Sequence, residues 1–95
     1  MTIQKTAELL QIAERLLWFC SPEEALEQPT LFIAHVMTYG TVKDIVTVED
    51  HLGRRAFEDT LDAAPAGIFD ERSWAYWNLI CNRRPAPPMP ARNLD

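Results

Sequence analysis

Glycine, cysteine and histidine are scarce in this chain, and their scarcity removes most familiar catalytic arrangements. Only three glycines occur in 95 residues. Gly40, Gly53 and Gly67 stand singly between hydrophobic segments, so no glycine-rich loop is present to cradle a phosphate. The two cysteines, Cys20 and Cys81, are far apart and match neither metal-ligand nor thioredoxin-like spacing. Both are expected as free thiols acting as small buried hydrophobes, because a nucleophilic cysteine needs an activating base or a positive environment. His35 and His51 are the only histidines, and neither opens a zinc pattern. Both read as structural residues; a metal site joining His51 to Asp44 or Asp50 would require convergence in three dimensions. No cofactor is implied.

Long apolar runs are missing as well, and the amino terminus lacks a basic region followed by an apolar core and a cleavage site. The expected compartment is the cytoplasm, with reduced thiols. Charge is unevenly distributed around a net value of -5. Residues 1–40 sum to -3, residues 41–71 to -5 and residues 72–95 to +3. That balance disfavours nonspecific binding to nucleic acid or to an anionic membrane.

Helical signals occupy the rest of the sequence. Ile3, Leu9, Leu10, Ala13, Leu16 and Leu17 recur at helical spacing, predicting an amphipathic helix over 3–18. Ser21-Pro22-Glu23-Glu24 combines an N-cap, a first-turn proline and a third-position acid, which predicts a short second helix closed by Pro29. Thr30 is expected to cap a third segment through Met37. Its near-continuous apolar character fits a central helix or a buried strand, and the absence of partner strands favours the helix. Thr41 with Asp44 starts a fourth segment to Leu52, weakened by branched residues and by Asp in place of Glu. Gly53 separates it from Arg54–Ala64, and Pro65 and Gly67 make the next break. Asp70 caps a last helix over 71–82 that puts Trp74, Trp77 and Cys81 on one stripe, with Tyr76 and Ile80 beside it.

Beyond it, Arg83-Arg84-Pro85-Ala86-Pro87-Pro88-Met89-Pro90 favours extended polyproline structure. The expectation is an all-α, compact single domain of five or six short helices over residues 1–84, with a proline-rich arm over 85–95. Three outcomes are open for the arm: Pro85 to Leu94 wraps across Trp74 and Trp77, or it contacts a partner through Met89 and Leu94 flanked by Arg83, Arg84 and Arg92, or it frays.

Four strings carry a family resemblance: Ser21-Pro22-Glu23-Glu24-Ala25-Leu26, Val36-Met37-Thr38-Tyr39-Gly40-Thr41, Phe69-Asp70-Glu71-Arg72-Ser73-Trp74-Ala75-Tyr76-Trp77 and Pro87-Pro88-Met89-Pro90. Together they resemble a family of small bacterial proteins that look like upstream gene partners of nucleotidyltransferase-like abortive-infection toxins. The resemblance spans about residues 16–94 and implies an antitoxin or toxin-regulating role. It brings no catalytic or binding residues with it.

The expected function is therefore non-enzymatic protein binding, with a nucleotidyltransferase-like toxin as the implied partner. The candidate surface comprises Asp44, Asp50, Glu58, Asp59 and Asp62 as an acidic rim for a basic cleft, together with Arg54, Arg55, Arg83, Arg84 and Met89. Arg54 and Arg55 oppose the dipole at a helix start, so they are expected to pair with nearby carboxylates or with a partner's acids. Two alternatives stand beside this reading. A helix-turn-helix around Gly53 would make the chain a DNA-binding autoregulator, and a carboxylate or metal site assembled by folding would make it a small enzyme. Self-association is compatible with each.

Overall fold

The computed structural model describes residues 2–90 and contains, among them, six helices and no strand. They are α1 (Ala7–Leu16), α2 (Pro22–Leu26), α3 (Pro29–Tyr39), α4 (Val42–Leu52), α5 (Arg55–Asp62) and α6 (Glu71–Ile80). The radius of gyration, 12.9 Å, is that of one folded domain of this length. No helix among the described residues is long and apolar enough to cross a membrane.

The helix at the centre is α3. Six consecutive residues, Phe32 to Met37, are buried, so every face of the helix meets another element. Helices α1, α2, α4, α5 and α6 all pack against it. This settles the choice between helix and strand, and it changes the expected start. Pro29 occupies the first turn of α3, where its missing N–H is no loss, and Thr30 does not cap. The same proline that stops α2 thus begins α3.

Local capping fixes most other boundaries. Helix α1 starts at Ala7 rather than residue 3, because Thr6 Oγ1 accepts from the Leu9 N–H at 3.3 Å; Ile3 is buried from outside the helix. It ends two residues early, and Leu17 enters the core from a non-helical conformation. Both halves of the Ser21/Glu24 capping box form. The Thr41/Asp44 box also forms in full, and with Val48 buried it holds α4 helical despite the branched residues.

Helix α6 ends at Ile80 in a left-handed stop. Asn82 adopts φ 62°, while the Arg83 N–H donates to the Asn78 carbonyl at 2.8 Å and the Asn82 N–H to Leu79 at 3.1 Å, the Schellman pattern. The turn sends Arg83 back toward α5, where its guanidinium binds the Asp62 carboxylate and the Glu58 carbonyl. Arg54 Nη2 satisfies the orphan Ile80 carbonyl at 2.7 Å. Trp77 Nε1 does the same for Met37 at the end of α3, at 2.8 Å, and its ring packs on Phe57 with centroids 5.0 Å apart.

Within residues 85–90 the arm touches its own domain at Pro87 and Met89. Trp74 Nε1 donates to the Pro87 carbonyl at 2.8 Å, and half-buried Met89 packs on the core. Arg92 and Leu94 lie outside the described residues.

Candidate functional site: an exposed aromatic recess

The turn between α1 and α2 has three residues on which no helical periodicity acts. Leu17 plugs the core and Ser21 caps α2; of the residues between them Cys20 packs on the core, while Trp18 and Phe19 are carried outward. Trp18 is 83% exposed and Phe19 52% exposed. Tyr39, in the last turn of α3, is 59% exposed and sits one turn after His35. The four rings form a continuous run. Trp18 meets Phe19 edge-on at 5.8 Å, Phe19 meets His35 at 5.5 Å, and His35 meets Tyr39 at 5.8 Å. His35 is itself buried and held by contact of Nδ1 with the Leu31 carbonyl at 2.9 Å.

Together with Arg15 and Leu16 these rings line an open recess of about 350 Å³. Aromatic rings bring large apolar area with few torsions to freeze, which is why they anchor protein interfaces. Arg15 is oriented by an ion pair with Asp44. Burial pushes the Asp44 carboxyl up, but hydrogen bonds from Arg15 and Thr41 and the Arg15 charge outweigh it and hold the group below the ordinary carboxylate range.

Asp44 is therefore not a rim acid. It is 4% exposed, completes the cap of α4 and binds Arg15. The other sequence candidates divide by what they touch. Asp59 pairs with Arg55 one helical turn away, Nε to Oδ1 3.1 Å. Asp62 pairs with Arg83, whose guanidinium holds the carboxyl below its ordinary range. Arg54 is turned onto the end of α6. Met89 packs on the core. Among the described residues, the side chains of Asp50, Glu58 and Arg84 have no ion-pair partner.

His51 does not meet Asp44; its Nδ1 contacts the Thr47 carbonyl at 2.9 Å and its Nε2 lies 3.8 Å from Glu8. No group of three His, Cys, Asp or Glu side chains among the described residues is placed to hold a metal ion. Cys20 and Cys81 are free, and burial pushes the Cys81 thiol up.

Sequence reasoning about helix faces passed over Trp18, Phe19 and Tyr39. A usable signal was present: two adjacent aromatics between the end of an amphipathic pattern and a strong N-cap have no helix face to bury them. Comparison with protein-family models, with curated proteins and with solved structures found no match to this chain.

Proposed function

We propose that this chain is a non-enzymatic protein-binding module that engages its partner through the Trp18, Phe19 and Tyr39 recess, the partner being a nucleotidyltransferase-like toxin whose substrate cleft it masks. The observation that carries the reading is the exposure of three large aromatics around one recess. Contiguous apolar area left in water by folding gains free energy when a second surface covers it. Stoichiometric masking requires no cofactor. The partner identity rests on the resemblance of residues 16–94 to small upstream partners of such toxins. Electrostatics supplies a secondary contribution: Asp50 and Glu58, which have no ion-pair partner among the described residues, steer the acidic side toward a basic cleft.

Co-expression with the product of the adjacent gene, followed by co-purification and a growth-rescue assay, tests the proposal. The wild-type chain is expected to co-purify and restore growth, and Trp18→Ala with Tyr39→Ala to lose both while remaining folded. Retained binding by that folded double variant would remove the recess from the interface. No binding by the wild type would remove the toxin as partner.

A further inference from the structure

His35 is the polar member of the aromatic run, and half of its hydrogen-bonding capacity is unspent. The residue is only 6% exposed. Its Nδ1 lies 2.9 Å from the Leu31 carbonyl, one turn back along α3. A carbonyl oxygen only accepts, so in the neutral ring Nδ1 carries the proton and Nε2 presents a lone pair. No hydrogen bond among the described residues reaches Nε2. The buried side-chain polar atoms without a partner, among the same residues, are Thr38 Oγ1 and Asn78 Oδ1, so Nε2 is not sealed inside the protein. His35 lines the recess, which is the opening that this acceptor has to a ligand.

Charge and polarity narrow what can enter. Among the described residues Arg15 is the one permanent charge on the lining, and Asp44 already holds it. A partner's lysine or arginine would supply donors, yet it would meet Arg15 and no carboxylate on the lining. An aspartate or glutamate would set acceptors against an acceptor. Phenylalanine or leucine would cover the rings and take water from Nε2 without replacing it, leaving a polar atom dry and unpaired. Serine, threonine and the amides donate but cover little ring area. Tyrosine covers ring area, and its hydroxyl oxygen brings lone pairs that burial must also match; the indole N–H is a donor with no acceptor to satisfy.

We propose that the recess receives a tryptophan side chain of the partner protein, with the indole N–H donating to His35 Nε2 and the rings against Phe19 and Tyr39, which flank the imidazole at 5.5 and 5.8 Å. Arg15 lines the same recess, and a guanidinium is attracted to an indole face. A phenylalanine at position 35 would continue the run of rings; histidine adds the acceptor that selects among aromatic side chains. The inference rests on the recess being the binding surface and adds the chemistry of the group that enters it.

Proton–nitrogen NMR on the full chain, titrated with N-acetyl-tryptophanamide, tests it. At millimolar probe, shifts are expected to concentrate at residues 15–19 and 35–39. Trp18→Ala, exposed and expected to stay folded, should weaken probe binding about fivefold or more. The same probe methylated on the indole nitrogen cannot donate and is expected to bind about fivefold or more weakly. Long-range proton–nitrogen correlation of the imidazole is expected to show the Nδ1–H tautomer of His35, with the Nε2 resonance moving further on adding the parent probe than the methylated one. Equal affinity for the two probes, an Nε2–H tautomer, or tighter binding of the tyrosine or arginine amide would overturn the inference. So would the absence of shifts at the recess. Each of those failures leaves the recess standing as the partner-binding surface, whereas retained partner binding by the folded Trp18→Ala, Tyr39→Ala double variant would remove both.

Discussion

Trp74 and Trp77 are buried on α6, each with its indole N–H bound to a backbone carbonyl, whereas Trp18 stands in a three-residue turn with 83% of its surface in water. The difference does not come from the residue. At α6 a capped helix with spacing of three presents both rings to α3, α5 and the arm, where carbonyls at the end of α3 and at Pro87 await a donor. In the α1–α2 turn, Leu17 has already filled the core position, and Ser21 must stay at the surface to cap α2. Aromatic side chains are thus structural where a helix aims them inward, and available for recognition where a turn carries them out.

The largest test of this contrast removes its buried side. Trp77→Ala is expected to cost about 3–5 kcal/mol by lost transfer energy and an unfilled cavity. Urea unfolding measures it, and a loss below about 1 kcal/mol would mean that the indole is not a core element. The exposed side is expected to behave oppositely. Trp18→Ala should leave unfolding within about 0.5 kcal/mol of wild type and reduce partner affinity by about 2 kcal/mol or more, as a central aromatic anchor does. Calorimetry with the co-purified partner supplies the second number, and a stability loss comparable to that of Trp77→Ala would erase the distinction between the regions.

Asp44 links the two, because it fixes Arg15 at the recess while closing the cap of α4. Asp44→Ala is expected to cost about 1.5–3 kcal/mol, the range for hydrogen bonds to a charged group. Its carboxyl titrates below the ordinary range when folded, so its contribution is complete above the unfolded value, about 4, and disappears as pH falls through the lower folded value. Unfolding curves for wild type and variant should therefore run parallel from neutral pH to about 5 and converge in stronger acid. Curves that stay parallel through the acid range would show that the carboxyl is not held ionised by Arg15 and Thr41. The smallest effect is at the arm: Trp74→Phe keeps the ring and removes the donor to Pro87, for an expected loss of about 0.5–1.5 kcal/mol. Faster peroxide oxidation of half-buried Met89 in that variant would mark release of residues 85–90, and an unchanged rate would show that the hydrogen bond does not hold the arm.

The positions at which the sequence and the structure part are informative about range. Thr41/Asp44, Ser21/Glu24 and Asp70/Ser73 act within three residues, and all three pairings are present. Asp44 was legible as a cap, yet read equally well as a surface acid, because nothing near it in sequence says that Arg15 from α1 lies over it. Arg54 and Arg83 show the same limit: the charges were evident, while their targets at Ile80, Glu58 and Asp62 come from other elements. The start of α3 at Pro29 was misplaced because one proline serves both as the stop of one helix and as the first turn of the next.

By itself, then, the sequence determined the all-helical class, the caps at Ser21, Thr41 and Asp70 and the aromatic stripe of α6, since each depends on hydrogen bonds and periodicity within a few residues. Only the tertiary structure decided which helix is central, which acids are neutralised inside the chain, and that Trp18, Phe19 and Tyr39 gather around one recess. Burial and ion pairing depend on which faces of distant segments meet. That is set by the packing of all six helices together and by no stretch of the chain alone.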